Sequence, residues 1–155
     1  MKMTTLENLL RTSEGDFDYN KIDSESLSNL ALQESDPVAA TSALGELTQR
    51  DSDDARITAQ AILQKNPWDA HLTAYALTVL YSRDAEAGLH AMEQVLNAAT
   101  EKTIIEALIE NVLSDEKNFR DGAGVSFVSR LAKHLRERPD LSVDDVFRFR
   151  AAFEP

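Results

Sequence analysis

The residues of this chain best suited to acid–base or metal chemistry are its three histidines, His71, His90 and His134, since imidazole titrates near neutrality without help from its surroundings. None lies in an HExxH pattern and none has a second histidine at helical spacing, so no zinc-hydrolase signature is present. Glu86, His90 and Glu93 fall at i, i+4 and i+7 on one helical face, but faces of this kind are common on solvated helices. Asp16-x-Asp18-x-Asn20 opens like a calcium loop. Its sixth position is Lys21 instead of glycine and its twelfth is Leu27 instead of glutamate, so the turn and the closing bidentate ligand are both missing. Gly122-Ala123-Gly124 follows no strand and reads as a hinge ahead of a helix rather than a phosphate loop. No serine is set apart by a histidine and an acid. No catalytic residue, metal ligand or cofactor is expected, and the chain reads as a non-enzyme.

The scaffold that would carry any function is helical. Five glycines and four prolines in 155 residues are too few for the frequent tight turns of an all-β fold, while alanine and leucine are plentiful helix formers. There is no cysteine, which removes disulfides and thiolate metal sites. The start, Met1-Lys2-Met3-Thr4-Thr5-Leu6-Glu7, lacks a signal peptide's apolar core, and no run of about 18 apolar residues occurs. The expectation is a cytoplasmic protein without membrane contact.

Charge is distributed unevenly. The net charge is −11. Residues 1–54 carry 4 basic and 12 acidic groups, residues 55–116 carry 4 and 9, and residues 117–155 carry 8 and 6. The first 116 residues therefore hold a charge of −13 and the last 39 a charge of +2. Such an acidic body repels phosphate backbones, which argues against nucleic acid and for a basic protein partner. Acidity of this size also serves plain solubility.

Helix signals recur at short intervals. Residues 1–22 read as an N-terminal segment, with a short helix over Thr5–Arg11 and a loop over 14–20 whose aromatics tuck against it. Ser24 is placed to cap a helix reaching Glu34, and Pro37 to begin one that ends near Gln49, at the first helical position where a missing N–H costs nothing. Ser52 or Asp53 caps a third helix that stops before Asn66-Pro67. Asp69, Asp84 and Thr100 begin three more, and two others cover about 122–138 and 142–153, the last capped by Ser142.

The helices repeat. Leu47, Leu80 and Leu113 stand 33 residues apart, as do Ala43, Ala76 and Ile109, and Ala39, Leu72 and Ile105. In the alternate helices Ile62, Val95 and Val128 keep the same step, as do Ala59, Met92 and Val125. A period of 33 holding two helices is the signature of an α-solenoid. The expected fold is all-α, a short right-handed solenoid of seven or eight helices in stacked antiparallel hairpins. It forms one domain over 1–155, with repeats over 23–138 and a capping helix over 139–155.

Asp54-Ala55-Arg56-Ile57-Thr58-Ala59-Gln60-Ala61-Ile62-Leu63 resembles the second helix of a HEAT-like repeat, with an acid in the turn, an arginine and an alanine-rich face. Ala39-Ala40-Thr41-Ser42-Ala43-Leu44-Gly45-Glu46-Leu47 resembles it too, which leaves the phase of the hairpins open. The next repeat departs, with Gly88 near the position of the arginine. The resemblance spans residues 36–135, concerns architecture, and implies a protein-binding scaffold by analogy.

A 33-residue step brings the turns near 50–54, 82–86 and 114–121 to one edge. The candidate partner-binding residues there are Asp51, Asp53, Asp54, Asp84, Glu86, Asp115 and Glu116, with Trp68 as an apolar anchor or a turn staple. Carboxylates at helix N-termini also cap amides and favour the helix dipole, and Arg50, Arg83 and Arg120 near helix ends partly neutralise the edge. Phe147, Phe149 and Phe153 belong to the final helix, whose end either covers the stack or meets a second copy, so the chain is a monomer or a weak homo-oligomer. The functional expectation is a protein-binding module with an acidic surface. A concrete form is an immunity- or antitoxin-type inhibitor that occludes a basic toxin such as a nuclease. The alternative is an adaptor or assembly subunit that holds a peptide or helix in a solenoid groove.

Overall fold

The computed structural model describes residues 19–33, 36–50, 53–65, 69–98 and 101–154. Asp51, Trp68 and the expected helix over Thr5–Arg11 lie outside the described residues. Nine α-helices occur among the described residues, with no strand: α1 (Ser24–Ala31), α2 (Pro37–Gln49), α3 (Asp54–Gln64), α4 (Ala70–Arg83), α5 (Ala85–Ala98), α6 (Lys102–Ser114), α7 (Glu116–Asp121), α8 (Val125–Arg136) and α9 (Val143–Phe153). The protein is all-α. A single 3-10 turn, Tyr19–Lys21, precedes α1.

Aspartates start the helices. Asp23, Asp36, Asp69 and Asp84 each accept a backbone N–H three residues on, from Ser26 at 2.9 Å, Ala39 at 3.0 Å, Leu72 at 2.8 Å and Ala87 at 3.0 Å. Each bond satisfies a donor that the helix itself leaves orphaned and is worth about 1 kcal/mol. Asp23 takes the cap expected of Ser24. Ser24 is the first helical residue, and α1 ends at Ala31 rather than Glu34. Asp53 and Ser142 stand at the N-cap positions of α3 and α9 but make no capping bond there.

The helices pack both on their neighbours in sequence and on helices further along the chain. α1 lies on α2, and α4 packs on both α3 and α5. Alternate helices also touch, α1 with α3, α2 with α4 and α4 with α6, and α6 meets α9 across two intervening helices. Polar bonds hold these contacts at matching heights. Ser28 and Thr58 share a hydroxyl bond of 2.9 Å, Lys65 donates to the Leu32 carbonyl at 3.4 Å, and Arg130 donates to the Asn97 side chain. Partners separated by 30 to 33 residues are what the 33-residue periodicity predicts.

The buried residues follow the same periodicity. Ala39, Leu72 and Ile105 are buried, as are Ala43, Ala76 and Ile109. Helix α4 is the centre of the molecule: Leu72, Ala76, Val79 and Leu80 face a core shared with α1–α3, while Leu77 and Tyr81 face a second core shared with α5–α9. The third repeat breaks the pattern. Val125 is exposed where Ala59 and Met92 are buried, and Phe127, two residues on, takes the buried place. The cause is α7, a short helix in what the sequence reads as a turn, which lengthens the link between α6 and α8.

Gly88 lies where α5 crosses α4 at close range. A Cβ built there would lie 2.4 Å from the Tyr81 Cα and 2.8 Å from its backbone nitrogen. The crossing of α4 and α5 is therefore closer than any side chain at this position allows, and glycine is the residue that permits it.

Candidate interaction edge

Three turns meet at one edge of the molecule, each following a helix of the α2–α4–α6 row. The C-terminal ends of α2 and α4 are tied by Arg83, which donates to the Thr48 carbonyl. The ends of α4 and α6 are tied by Tyr81, whose hydroxyl donates to Asp115 Oδ2 at 2.7 Å. Asn118 Nδ2 donates to the same hydroxyl at 3.0 Å, and Asn118 Oδ1 accepts the Ala123 N–H at 3.2 Å. The ring of Tyr81 stacks on Phe119 at 5.7 Å, and Phe119 meets Phe127 at 6.1 Å. Burial, followed by the bond to Asp115, raises the Tyr81 pKa above the usual phenolic value.

The Gly122-Ala123-Gly124 turn is part of this assembly. Its glycine N–H groups both return to the Asn118 carbonyl, at 3.0 and 3.2 Å. A Cβ on Gly124 would lie 2.2 Å from the Phe119 ring. The segment is a tight turn packed against α7 rather than an open hinge.

The candidate carboxylates have different environments. Asp53 receives a two-point contact from Arg56, at 2.7 and 2.6 Å, which holds its carboxyl below the ordinary aspartate range. Asp84 caps α5 and lies near Arg56. Asp115 accepts from Tyr81, and Glu116 pairs with Arg120 at 3.0 Å. Glu86 is exposed on the first turn of α5, and Asp54 is half-buried in the first turn of α3. Several of these acids hold a turn to its own helix. His71 and His90 are exposed and His134 is half-buried. Among the described residues no three His, Cys, Asp or Glu side chains are arranged to hold a metal ion, Glu86, His90 and Glu93 included.

The arginines of the edge do something the sequence does not disclose. Arg50 donates to the carbonyls of Tyr19, Asn20 and Ile22, at 3.3, 3.4 and 2.6 Å. Arg83 donates to Thr48 in the last turn of α2, and Arg120 to Ala152 in the last turn of α9 at 2.9 and 2.6 Å. The final carbonyls of a helix lack intrahelical partners and sit at the negative end of its dipole, so a guanidinium is the matching group. Each of these cations thereby ties a helix end to a backbone segment distant in sequence. The signal was the spacing of Arg50 and Arg83, which is one repeat.

A second surface lies at the C-terminal end. Phe149 is fully buried and rests against Phe153 at 5.2 Å, while Phe147 points outward with 69% of its surface exposed. Arg120 stands over the Phe153 ring at 5.7 Å, a cation–π contact that adds to its bonds with α9. No helix of the described residues is long and apolar enough to cross a membrane. Comparison with protein-family models, with curated proteins and with solved structures finds no match for this chain.

Proposed function

We propose that the chain is a non-enzymatic binding module, a short right-handed α-solenoid of stacked antiparallel hairpins whose carboxylate edge docks a basic protein. The supporting observation is the division of labour among charges at the three turns. Arg50, Arg83 and Arg120 direct donors to carbonyls of neighbouring segments, whereas Glu86 faces solvent and Asp53 keeps 63% of its side chain exposed beside Arg56. An edge of this kind steers a cationic partner and is screened by salt. An immunity- or antitoxin-type inhibitor covering a basic toxin such as a nuclease is the form of this function that best suits a small acidic chain, because occlusion requires shape and charge but no chemistry. A cytoplasmic site of action and a single folded domain belong to the same proposal.

The test is capture of partners from the native host at low salt, followed by measured association rates. The proposal expects a basic partner whose association rate falls at least tenfold between about 50 and 500 mM salt, and again on Glu86→Lys or Asp54→Lys. Asp84 is a poor choice for reversal because α5 would also lose its cap. Tight binding that neither salt nor these reversals alters would sink the edge as the docking site.

The adaptor alternative draws on one observation. At the N-terminal ends of α2 and α4, an open depression is lined by Pro37, Val38, Thr41, Ser42, Asp69 and His71, and Val38 is 77% exposed. Binding there would rest on apolar contact and change little with salt.

A further inference from the structure

The outer face of α9 carries an apolar patch that no described residue covers. Val143 and Phe147, one helical turn apart, are 85% and 69% exposed. They border an open groove between the end of α8 and the start of α9, lined also by Leu135, Pro139, Leu141 and Val146. Every charged residue of the groove lining is an arginine: Arg136, Arg138 and Arg150. Arg138 is bound to Asp140 through two bonds of 2.9 Å. Arg136 and Arg150 meet Glu154 only at 3.6 and 3.8 Å, which leaves donors for an incoming anion. The last helix of a repeat stack ordinarily presents a polar face; this one presents Val143 and Phe147 beside Arg136, Arg138 and Arg150.

We propose that this end docks on the N-terminal end of a second copy of the chain. The complementarity is internal to the sequence: residues 1–54 hold 12 acidic and 4 basic groups, and residues 117–155 hold 6 and 8. Among the described residues of the N-terminal end, Asp23, Glu25 and Asp36 are exposed. A symmetric pairing of groove with groove would set Arg136 and Arg150 against themselves at close range. The favoured contact is therefore head-to-tail, the heterologous type that leaves each end open for a further copy. Stacking of this kind continues the succession of hairpins across the molecular boundary.

Sedimentation velocity of the full chain tests this without any other partner, so its failure leaves the docking edge untouched. At about 20 mM salt the weight-average sedimentation coefficient rises with protein concentration, and at about 500 mM it returns to the monomer value. Phe147→Glu and Arg150→Glu, both at exposed positions, weaken the association at least tenfold while leaving the circular-dichroism melt unchanged. Labelled Phe147→Glu chain has lost its groove but keeps its acidic end, so it sediments faster when unlabelled wild type is added. A wild type that stays monomeric to about 0.5 mM overturns the proposal and assigns the groove to a partner of another sequence. Association that survives both substitutions overturns it as well. So does a labelled variant that ignores the wild type, because that result means symmetric pairing.

Discussion

Two glycines within helices respond in opposite directions to the same substitution. Gly45 lies inside α2, and a Cβ added there would meet only the Tyr75 hydroxyl, at 3.5 Å. Gly45→Ala therefore gains the intrinsic preference of alanine for helix, about 0.5–1 kcal/mol, at little steric cost. Gly88 lies inside α5, where the same Cβ would come within 2.4 Å of the Tyr81 Cα and 2.8 Å of its Cβ. Ordinary contact begins near 3.4 Å, so α4 and α5 must part by roughly 1 Å. Forced separation of this kind costs about 1–3 kcal/mol. Tyr81 anchors Asp115 and Asn118, so displacing it weakens bonds worth about 1 kcal/mol each. Set against the helix-propensity gain, Gly88→Ala is expected to lose about 1–3 kcal/mol. Urea unfolding followed by circular dichroism, with the slope m checked for constancy, reads both values. A Gly88→Ala chain as stable as the wild type would refute the close crossing, and with it the physical account of why glycine stands there.

Further outcomes follow from the same edge. Arg83→Leu keeps the apolar stem and removes the donor to the Thr48 carbonyl, so it should cost about 1 kcal/mol in urea unfolding; an unchanged midpoint would show that the tie is idle. Tyr81 should ionise above the ordinary phenol value in an absorbance titration, since burial and the Asp115 bond raise its pKa. A raised pKa means that its contribution to stability is complete below the ordinary phenol value of 10.0 and is lost as pH climbs through the folded value. Tyr81→Phe should remove the late step. The Asp140 carboxyl, held by Arg138, should titrate at about 2 in an NMR pH series and return toward 3.8 in Arg138→Gln. Its lowered pKa stabilises the fold above 3.8 and less so as pH falls toward 2, but the Asp140 carboxylate is exposed, so the effect on unfolding is small.

Local physical chemistry was legible in the sequence. Asp36-Pro37 marks a helix start because a carboxylate reaches amides two or three residues away, and α2 spans the expected Pro37–Gln49. The apolar residues at a 33-residue step also foretold most of the side chains buried in α2, α4 and α6, with Leu113 only partly buried. These signals are short in range or periodic, and a single chain records both. Arg83 and Thr48, and Tyr81 and Asp115, are bonded pairs separated by 35 and 34 residues, close to that period.

What the edge is made of was settled only by tertiary structure. Whether an aspartate caps an amide, as Asp84 does, or accepts from a tyrosine 34 residues away, as Asp115 does, depends on which neighbour the fold delivers. The same holds for Arg83 and Arg120, whose partners are carbonyls 35 and 32 residues away. α7 was missed because a six-residue helix has too few positions to show a period, and isolated helices of that length do not form in water. Gly88 reads in sequence as an interrupted pattern, and only the structure shows the approach of Tyr81. Phe147 and Phe149 are adjacent alternates of one aromatic run, yet one faces solvent and the other the core. Composition and period specify that a helix has an apolar face; the direction that face takes is decided by helices far away in the chain, through contacts that no local pattern encodes.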